Sequence, residues 1–174
     1  VWLPNHTKAA NASTPDEKFT YSVTQSAPSY VETQQYTDGG DYTASYEIYD
    51  GMLQLRQSQS TPLNGGTGRV ITDTAYDSHG WATAANASYF NKDTSTPTGT
   101  LVTPVDAQVP SSTRTTYDGQ GRPVSTTLYS LGQQQWQTTT AYPGTDETDV
   151  TPPAGATPTA TITDARGKTT ELRQ

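Results

Sequence analysis

Four aspartates recur in similar sequence surroundings: Asp50, Asp77, Asp118 and Asp164. Carboxylates can act as general acid and base or ligate calcium, but a glycosidase needs two of them held several ångströms apart across a sugar. Nothing in the sequence singles out such a pair. Each aspartate lies among turn-forming residues, where its side chain can accept hydrogen bonds from nearby backbone N–H groups. We therefore expect all four to cap turns, and we predict that the chain is not an enzyme.

The remaining polar groups support the same prediction. Thr37-Asp38-Gly39-Gly40-Asp41 lacks the ligand spacing of a calcium loop, so a tight turn is expected there. The chain has no Cys and only two His, which excludes a thiol nucleophile and a multi-His metal site within it. His79 lies in a turn, and no Gly-x-Ser-x-Gly motif accompanies it. We predict no catalytic residue, cofactor or metal.

Two tryptophans are candidates for ligand stacking. Trp81 and Trp136 could stack on sugar rings, with Tyr, Gln and Asn side chains supplying hydrogen bonds. The alternative, which we favour, is that both pack on a face of a β-sheet.

The composition indicates exposed β-sheet around a thin core. The 174 residues include 34 Thr and 11 Tyr, but only 22 Leu, Ile, Val and Phe together. Threonine and tyrosine are enriched in strands. A net charge of −7 argues against nucleic-acid binding, and no apolar run is long enough to span a membrane. Because the chain starts at Val1 with no visible leader sequence, we expect it to be a segment of a longer protein.

The best-defined hairpin is predicted over residues 42–59, with Asp50-Gly51 as a two-residue loop. That loop places Ile48 opposite Leu53 and Tyr46 opposite Leu55, so apolar residues share one face. Further hairpins are predicted at 69–90, 111–130 and 157–172, and a strand at 133–142. Loops are predicted at 4–18, 60–68, 91–110 and 143–158, and an extended segment, which could form a hairpin, at 19–36. These patterns divide the chain into an irregular N-terminal segment, 1–41, and a hairpin segment, 42–174.

The predicted turns are related to one another. Their shared pattern is an aromatic residue, Asp, two variable residues, Gly, and then a long side chain. The Asp accepts from the turn backbone, and the Gly supplies a positive φ. The matching residues are Tyr49, Asp50 and Gly51; Tyr76, Asp77, Gly80 and Trp81; Tyr117, Asp118, Gly121 and Arg122; and Asp164 and Gly167, preceded by Thr163. In the first turn, 49–53, the Gly is displaced, which predicts a shortened turn.

The segment 117–124, Tyr-Asp-Gly-Gln-Gly-Arg-Pro-Val, resembles the YD repeat of Rhs proteins, bacterial wall-associated repeat proteins and teneurins. The resemblance is partial at 76–81, where Trp81 replaces Arg, and looser at 163–168. It implies consecutive antiparallel β-hairpins that form part of a larger YD-repeat β-sheet shell. In bacterial members such a shell encloses a toxin or other C-terminal domain, whereas in teneurins it forms an adhesion scaffold.

Two functions are therefore expected. The first is a non-catalytic segment of a secreted or cell-surface β-shell, with flanking repeats of the same chain and an enclosed toxin domain as partners. The alternative is an extracellular β-sandwich that binds carbohydrate or a cell-surface partner through exposed aromatic residues.

Overall fold

The chain folds, in a computed structural model, as one antiparallel sheet of twelve strands. The structure describes residues 1–63, 65–92 and 96–174. Every strand pairs with its neighbours in sequence, so the order of strands across the sheet is their order along the chain. The strands are β1 (Glu17–Ser22), β2 (Ser29–Tyr36), β3 (Tyr42–Tyr49), β4 (Leu55–Ser60), β5 (Arg69–Tyr76), β6 (Ala82–Asn91), β7 (Ser112–Tyr117), β8 (Pro123–Ser130), β9 (Gln133–Ala141), β10 (Glu147–Thr151), β11 (Thr159–Thr163) and β12 (Thr169–Arg173).

The predicted all-β fold of consecutive hairpins is confirmed. Residues 19–36 lie in a regular β1–β2 hairpin, and β2 pairs with β3 along its whole length. The sheet is therefore continuous through residue 41, where the sequence suggested a boundary. Within the described ranges all strands belong to this one sheet, so they do not form the two packed sheets of a β-sandwich. The predicted loops 60–68 and 91–110 include residues 64 and 93–95, which lie outside the described residues.

The predicted register of the first hairpin is wrong. Ile48 pairs with Gln57 instead of Leu53, and Tyr46 pairs with Gln59 instead of Leu55. Glutamines therefore share a face with Ile48, and the two predicted leucines do not.

The cause is the length of the loop. Five residues, 50–54, form the turn, because Asp50 Oδ1 accepts hydrogen bonds from the N–H groups of Met52 and Gln54 at 2.8 and 2.9 Å. Leu53 takes a φ of +59° and is 71% exposed. Capping by the aspartate thus overrides the tendency of Asp-Gly to form a two-residue loop.

The core lies between one face of the sheet, here called the inner face, and a segment that crosses it. The inner face carries Ile48 and Ile71, both fully buried, together with Tyr89. The crossing segment, residues 96–109, is here called the strap. It ends in one turn of 3₁₀ helix, Asp106–Gln108, and its Val109 packs with Ile71 and Tyr89. The predicted 91–110 loop therefore contributes to the core.

The opposite face, here called the outer face, is rich in threonine. Thr115, Thr126 and Thr138 lie side by side on it across β7, β8 and β9. Exposed aromatic side chains, including Tyr21 on β1 and Trp136 on β9, interrupt the threonines. Most of the buried apolar surface therefore lies on the inner face.

Candidate functional site: the turn row

Four turns built around aspartate share one geometry. In each, Asp Oδ1 accepts hydrogen bonds from the backbone N–H groups two and four residues later, at 2.8 to 3.0 Å. The N–H group of the aspartate donates to the carbonyl of the residue four positions later, and this hydrogen bond closes the loop. The capping aspartates are Asp50, Asp77, Asp118 and Asp164. Each carboxylate is therefore engaged with its own turn.

The residue three positions after the aspartate has a positive φ in all four turns. It is Gly in three of them, with φ of +81° at Gly80, +80° at Gly121 and +75° at Gly167. In the first turn Leu53 takes this place, so the predicted shortening is wrong. Gly51, which the shared turn pattern assigned to the motif, is instead an exposed residue of the loop.

Residues 37–41 join β2 to β3 and form a similar turn at the other end of the strands. Gly40 has a φ of +90° and its N–H donates to the Thr37 carbonyl, while the Thr37 hydroxyl donates to the Asp41 carbonyl. The tight turn predicted there is confirmed. Among the described residues, no group of three His, Asp or Glu side chains could hold a metal ion.

The four aspartate turns lie at the same end of the strands, because each joins an odd-numbered strand to the next strand. We call them the turn row. The last side chain of one turn reaches the next connection: Gln54 Nε2 donates to the Gly80 carbonyl at 3.0 Å, and Trp81 lies against Gly121. Arg122 likewise lies over the ring of Tyr142, 4.0 Å from its centroid. Neighbouring hairpins are therefore held in register through their turns.

The tyrosine before the aspartate makes the reverse contact. Tyr76 Oη donates to the Leu55 carbonyl at 3.2 Å, and Tyr117 Oη donates to the Ala82 carbonyl at 2.9 Å. Both acceptors directly follow the preceding turn of the row. Tyr49 differs, since its hydroxyl donates to Glu47 of its own strand. The Tyr-Asp pair thus combines a link to the preceding hairpin with a cap on its own turn.

Removal of one such link is expected to have a measurable cost. Tyr117→Phe should lower the free energy of unfolding by about 1 kcal/mol, because the Ala82 carbonyl loses its donor. Urea denaturation followed by circular dichroism measures the change. Tyr49→Phe is the matched control and should cost less, since its exposed hydroxyl bonds only within its own strand. Equal costs would contradict a linking role for Tyr117.

The structure places the two candidate tryptophans in different surroundings. Trp81 stacks on His79 with centroids 4.5 Å apart and a 14° interplanar angle, and its ring also meets Tyr117 at 5.5 Å. It is a packing residue of the turn row. Trp136 is 39% exposed on the outer face, opposite Leu128.

Electrostatics separate two of the turn carboxylates, Asp118 and Asp77, from general acids. The N–H of Arg122, partly opposed by desolvation and assisted by the Arg122 guanidinium at 2.7 Å, lowers the pKa of Asp118. Desolvation works to raise the pKa of Asp77, but the N–H groups of Trp81 and His79 and the His79 side chain act together against it, so this pKa is also lowered. Both carboxylates are therefore ionised at neutral pH, in the form that accepts hydrogen bonds.

The lowered pKa of Asp118 predicts a pH dependence of stability. A carboxyl group whose pKa is depressed by folding stabilises the native state above its unfolded pKa, and this contribution is lost as the pH falls through the folded pKa. Asp118→Asn retains Oδ1 as an acceptor but removes the titration. Urea midpoints measured from pH 6 to pH 2 should therefore fall less steeply in the variant than in the wild type. Parallel curves would contradict this assignment.

The sequence patterns missed a second group of polar residues, which lies on the inner face beneath the strap. Gln57, Gln59 and Arg69 are all at least nine-tenths buried there. Neighbouring Asp73 accepts hydrogen bonds from Asn86 Nδ2 at 2.9 Å and Tyr89 Oη at 3.1 Å. Burial raises the pKa of Asp73 despite these bonds, and burial together with Asp73 raises the pKa of Tyr89. Because Gln57 and Gln59 alternate with Ser58 and Ser60, the β4 sequence shows no apolar face from which their burial could be predicted.

Comparisons with known proteins add no relative: no family model matches the chain, and no curated protein matches it. In the described part of the chain, no helix is long and apolar enough to cross a membrane.

Proposed function

We propose that this chain is a non-catalytic wall segment of a secreted or cell-surface protein, and that its hairpins form part of a larger YD-repeat β-shell. The turn row is the observation that carries the proposal. Each Asp turn satisfies its own backbone. In addition, Tyr76 and Tyr117 bond to the preceding hairpin, and the side chains that end the first three turns, Gln54, Trp81 and Arg122, bond or pack to the following connection. Such an arrangement extends a sheet by adding equivalent units, as repeat proteins do.

The open edges of the sheet support the same proposal. Strand β12 pairs only with β11 among the described residues, and all five of its residues are exposed. An exposed strand edge presents unpaired N–H and C=O groups to any further strand. Flanking repeats of a longer chain are the partners that this edge fits best, and an enclosed toxin or other passenger domain is the proposed content of the shell.

Electron cryo-microscopy of the natural full-length polypeptide tests this proposal. The expected result is additional hairpins paired beyond β12, further Asp turns at the same end of the strands as the turn row, and a closed volume bounded by the sheet. A full-length structure in which β12 remains an edge, or in which the sheet encloses nothing, would overturn it.

A second candidate function rests on Trp136. Its exposed ring lies beside Thr138 and Pro153 in a shallow depression of the outer face. An exposed aromatic ring beside a hydroxyl group suits stacking on carbohydrate. A glycan array probed with the wild type and with Trp136→Ala tests this function. Trp81→Ala is the comparison, because Trp81 already stacks within the turn row. Binding lost only in Trp136→Ala supports the carbohydrate site, and absence of glycan binding rejects it.

A further inference from the structure

We propose that the inner face of β4 and β5 is a binding site for a polypeptide segment, and that the strap occupies it as a replaceable ligand within the same chain. The site, here called the strap site, consists of Gln57, Gln59 and Arg69, with Tyr30 at its side. This proposal does not depend on the YD resemblance.

The strap site contacts mainly the backbone of its occupant. Gln57 forms two hydrogen bonds with Val102: its Nε2 donates to the carbonyl at 2.8 Å, and its Oε1 accepts from the N–H at 2.9 Å. Gln59 Oε1 accepts from the Thr98 N–H at 3.0 Å, and its Nε2 donates to the Thr100 carbonyl at 2.7 Å. The two glutamine amides therefore substitute for the partner strand that a peptide would find at a sheet edge.

Arg69 extends this pattern by one more contact. Its guanidinium donates to the Thr96 carbonyl and to the Thr98 hydroxyl, both at 3.4 Å. The contacted backbone atoms therefore belong to alternate residues, 96, 98, 100 and 102. Pro97 fits between two of them because the site uses no N–H at that position.

The sheet itself holds the polar groups of the strap site in place. Gln59 Nε2 donates to Gln57 Oε1 at 2.8 Å, and Arg69 donates to Gln59 Oε1 at 3.2 Å and to Asn91 Oδ1 at 3.3 Å. These residues lie on adjacent paired strands, so the site is preorganised without help from the strap. Without an occupant, its buried donors and acceptors would lose partners, which is costly. The site therefore favours an occupant that presents a polypeptide backbone.

Side-chain packing limits which segments fit. A Cβ on Gly99 would lie 2.3 Å from ring atoms of Tyr30, so the occupant needs glycine at that position. Pro97 is buried, and Val102 packs against the core cluster. The ligand class is thus an irregular polypeptide segment with glycine two residues after a small apolar residue and an aliphatic residue three further on.

A peptide-binding experiment on the 174-residue chain tests the proposal. Gly99→Leu should displace the strap, and the probe is a fluorescent peptide with the sequence of residues 96–103. We expect this peptide to bind the Gly99→Leu variant at least tenfold more tightly than the wild type, whose site is occupied. The same peptide with its glycine replaced by leucine should lose at least tenfold in affinity.

N-methylated peptides supply the matched control. Methylation at the position of Val102 removes the N–H group that donates to Gln57 Oε1. Methylation at the position of Leu101 removes an N–H group that has no hydrogen-bond partner among the described residues. The first modification should weaken binding at least fivefold more than the second. A folded Gly99→Leu variant that does not bind the peptide, or that binds the leucine-substituted peptide equally well, would overturn the proposal.

Hydrogen exchange on the wild type provides a second test, which remains valid if Gly99→Leu does not fold. A replaceable strap must open without the sheet. The Thr98 and Val102 amides should therefore exchange at least a hundredfold faster than the paired amides of β4 and β5. Equal protection of the strap and these strands would show that the strap cannot leave separately, and would overturn the proposal.

Discussion

Gly121→Ala is expected to lower the free energy of unfolding by about 3 kcal/mol, through two separate effects. A φ of +80° costs a residue with a Cβ about 1–2 kcal/mol. The added methyl group would also lie 2.7 Å from Cζ2 of Trp81, whose stacking on His79 leaves it little freedom to move, and overpacking of this kind costs about 1–3 kcal/mol. Urea denaturation of both proteins measures the difference.

Gly167→Ala separates the two effects. Gly167 has a similar φ of +75°, but no atom lies within 4 Å of the Cβ that alanine would add. This control should cost only the conformational term, about 1 kcal/mol. Equal losses at the two positions would show that Trp81 moves away from the added methyl group at no cost, and would contradict tight packing between the second and third turns of the row.

Gln59→Leu is expected to destabilise the protein by about 3 kcal/mol, although leucine has a similar volume and is apolar. Gln59 is 1% exposed, and its amide bonds to the Thr98 N–H and the Thr100 carbonyl. Leucine would leave these two backbone groups without a partner, at about 1–3 kcal/mol for each buried group that stays unsatisfied, and would remove one of the acceptors of Arg69. Circular dichroism during urea denaturation measures the loss.

Gln137→Leu is the corresponding control on β9. Gln137 is exposed and its Nε2 donates only to the Ser125 hydroxyl at 2.8 Å, so the change should stay within about 0.5 kcal/mol. A stabilising Gln59→Leu would show instead that the inner face behaves as an ordinary apolar core.

The turn row could be predicted from sequence because its physics is local. Asp118 caps groups two and four residues away, and Gly121 meets a conformational demand of its own position. The same local reasoning failed at Asp50-Gly51, because the Asp-Gly pair suggested a two-residue loop. The aspartate cap extends that loop to five residues, even though Leu53 must adopt a positive φ. A competition between two favourable local arrangements decided the register, and residue preferences alone do not rank them.

The strap site could not be predicted for a different reason. Gln59 meets Thr98 and Thr100 across 39 and 41 residues of sequence, and the contacts join side chains to backbone. Such contacts leave no hydrophobic period in the sequence. The composition correctly indicated a thin apolar core, but it could not show that glutamine amides would satisfy the backbone of a covering segment.

The strictly sequential strand order has a mechanical consequence. Strands β1 and β12 lie at opposite edges of the sheet, so tension that separates these edges acts along the inter-strand hydrogen bonds, which run perpendicular to the strands. Load in this direction breaks the bonds of one strand pair at a time, as in unzipping, and does not shear many pairs together. The strap is the exception, because it ties β4 and β5 to a segment that follows β6. Resistance to stretching should therefore be concentrated at these central strands, while the outer hairpins yield first.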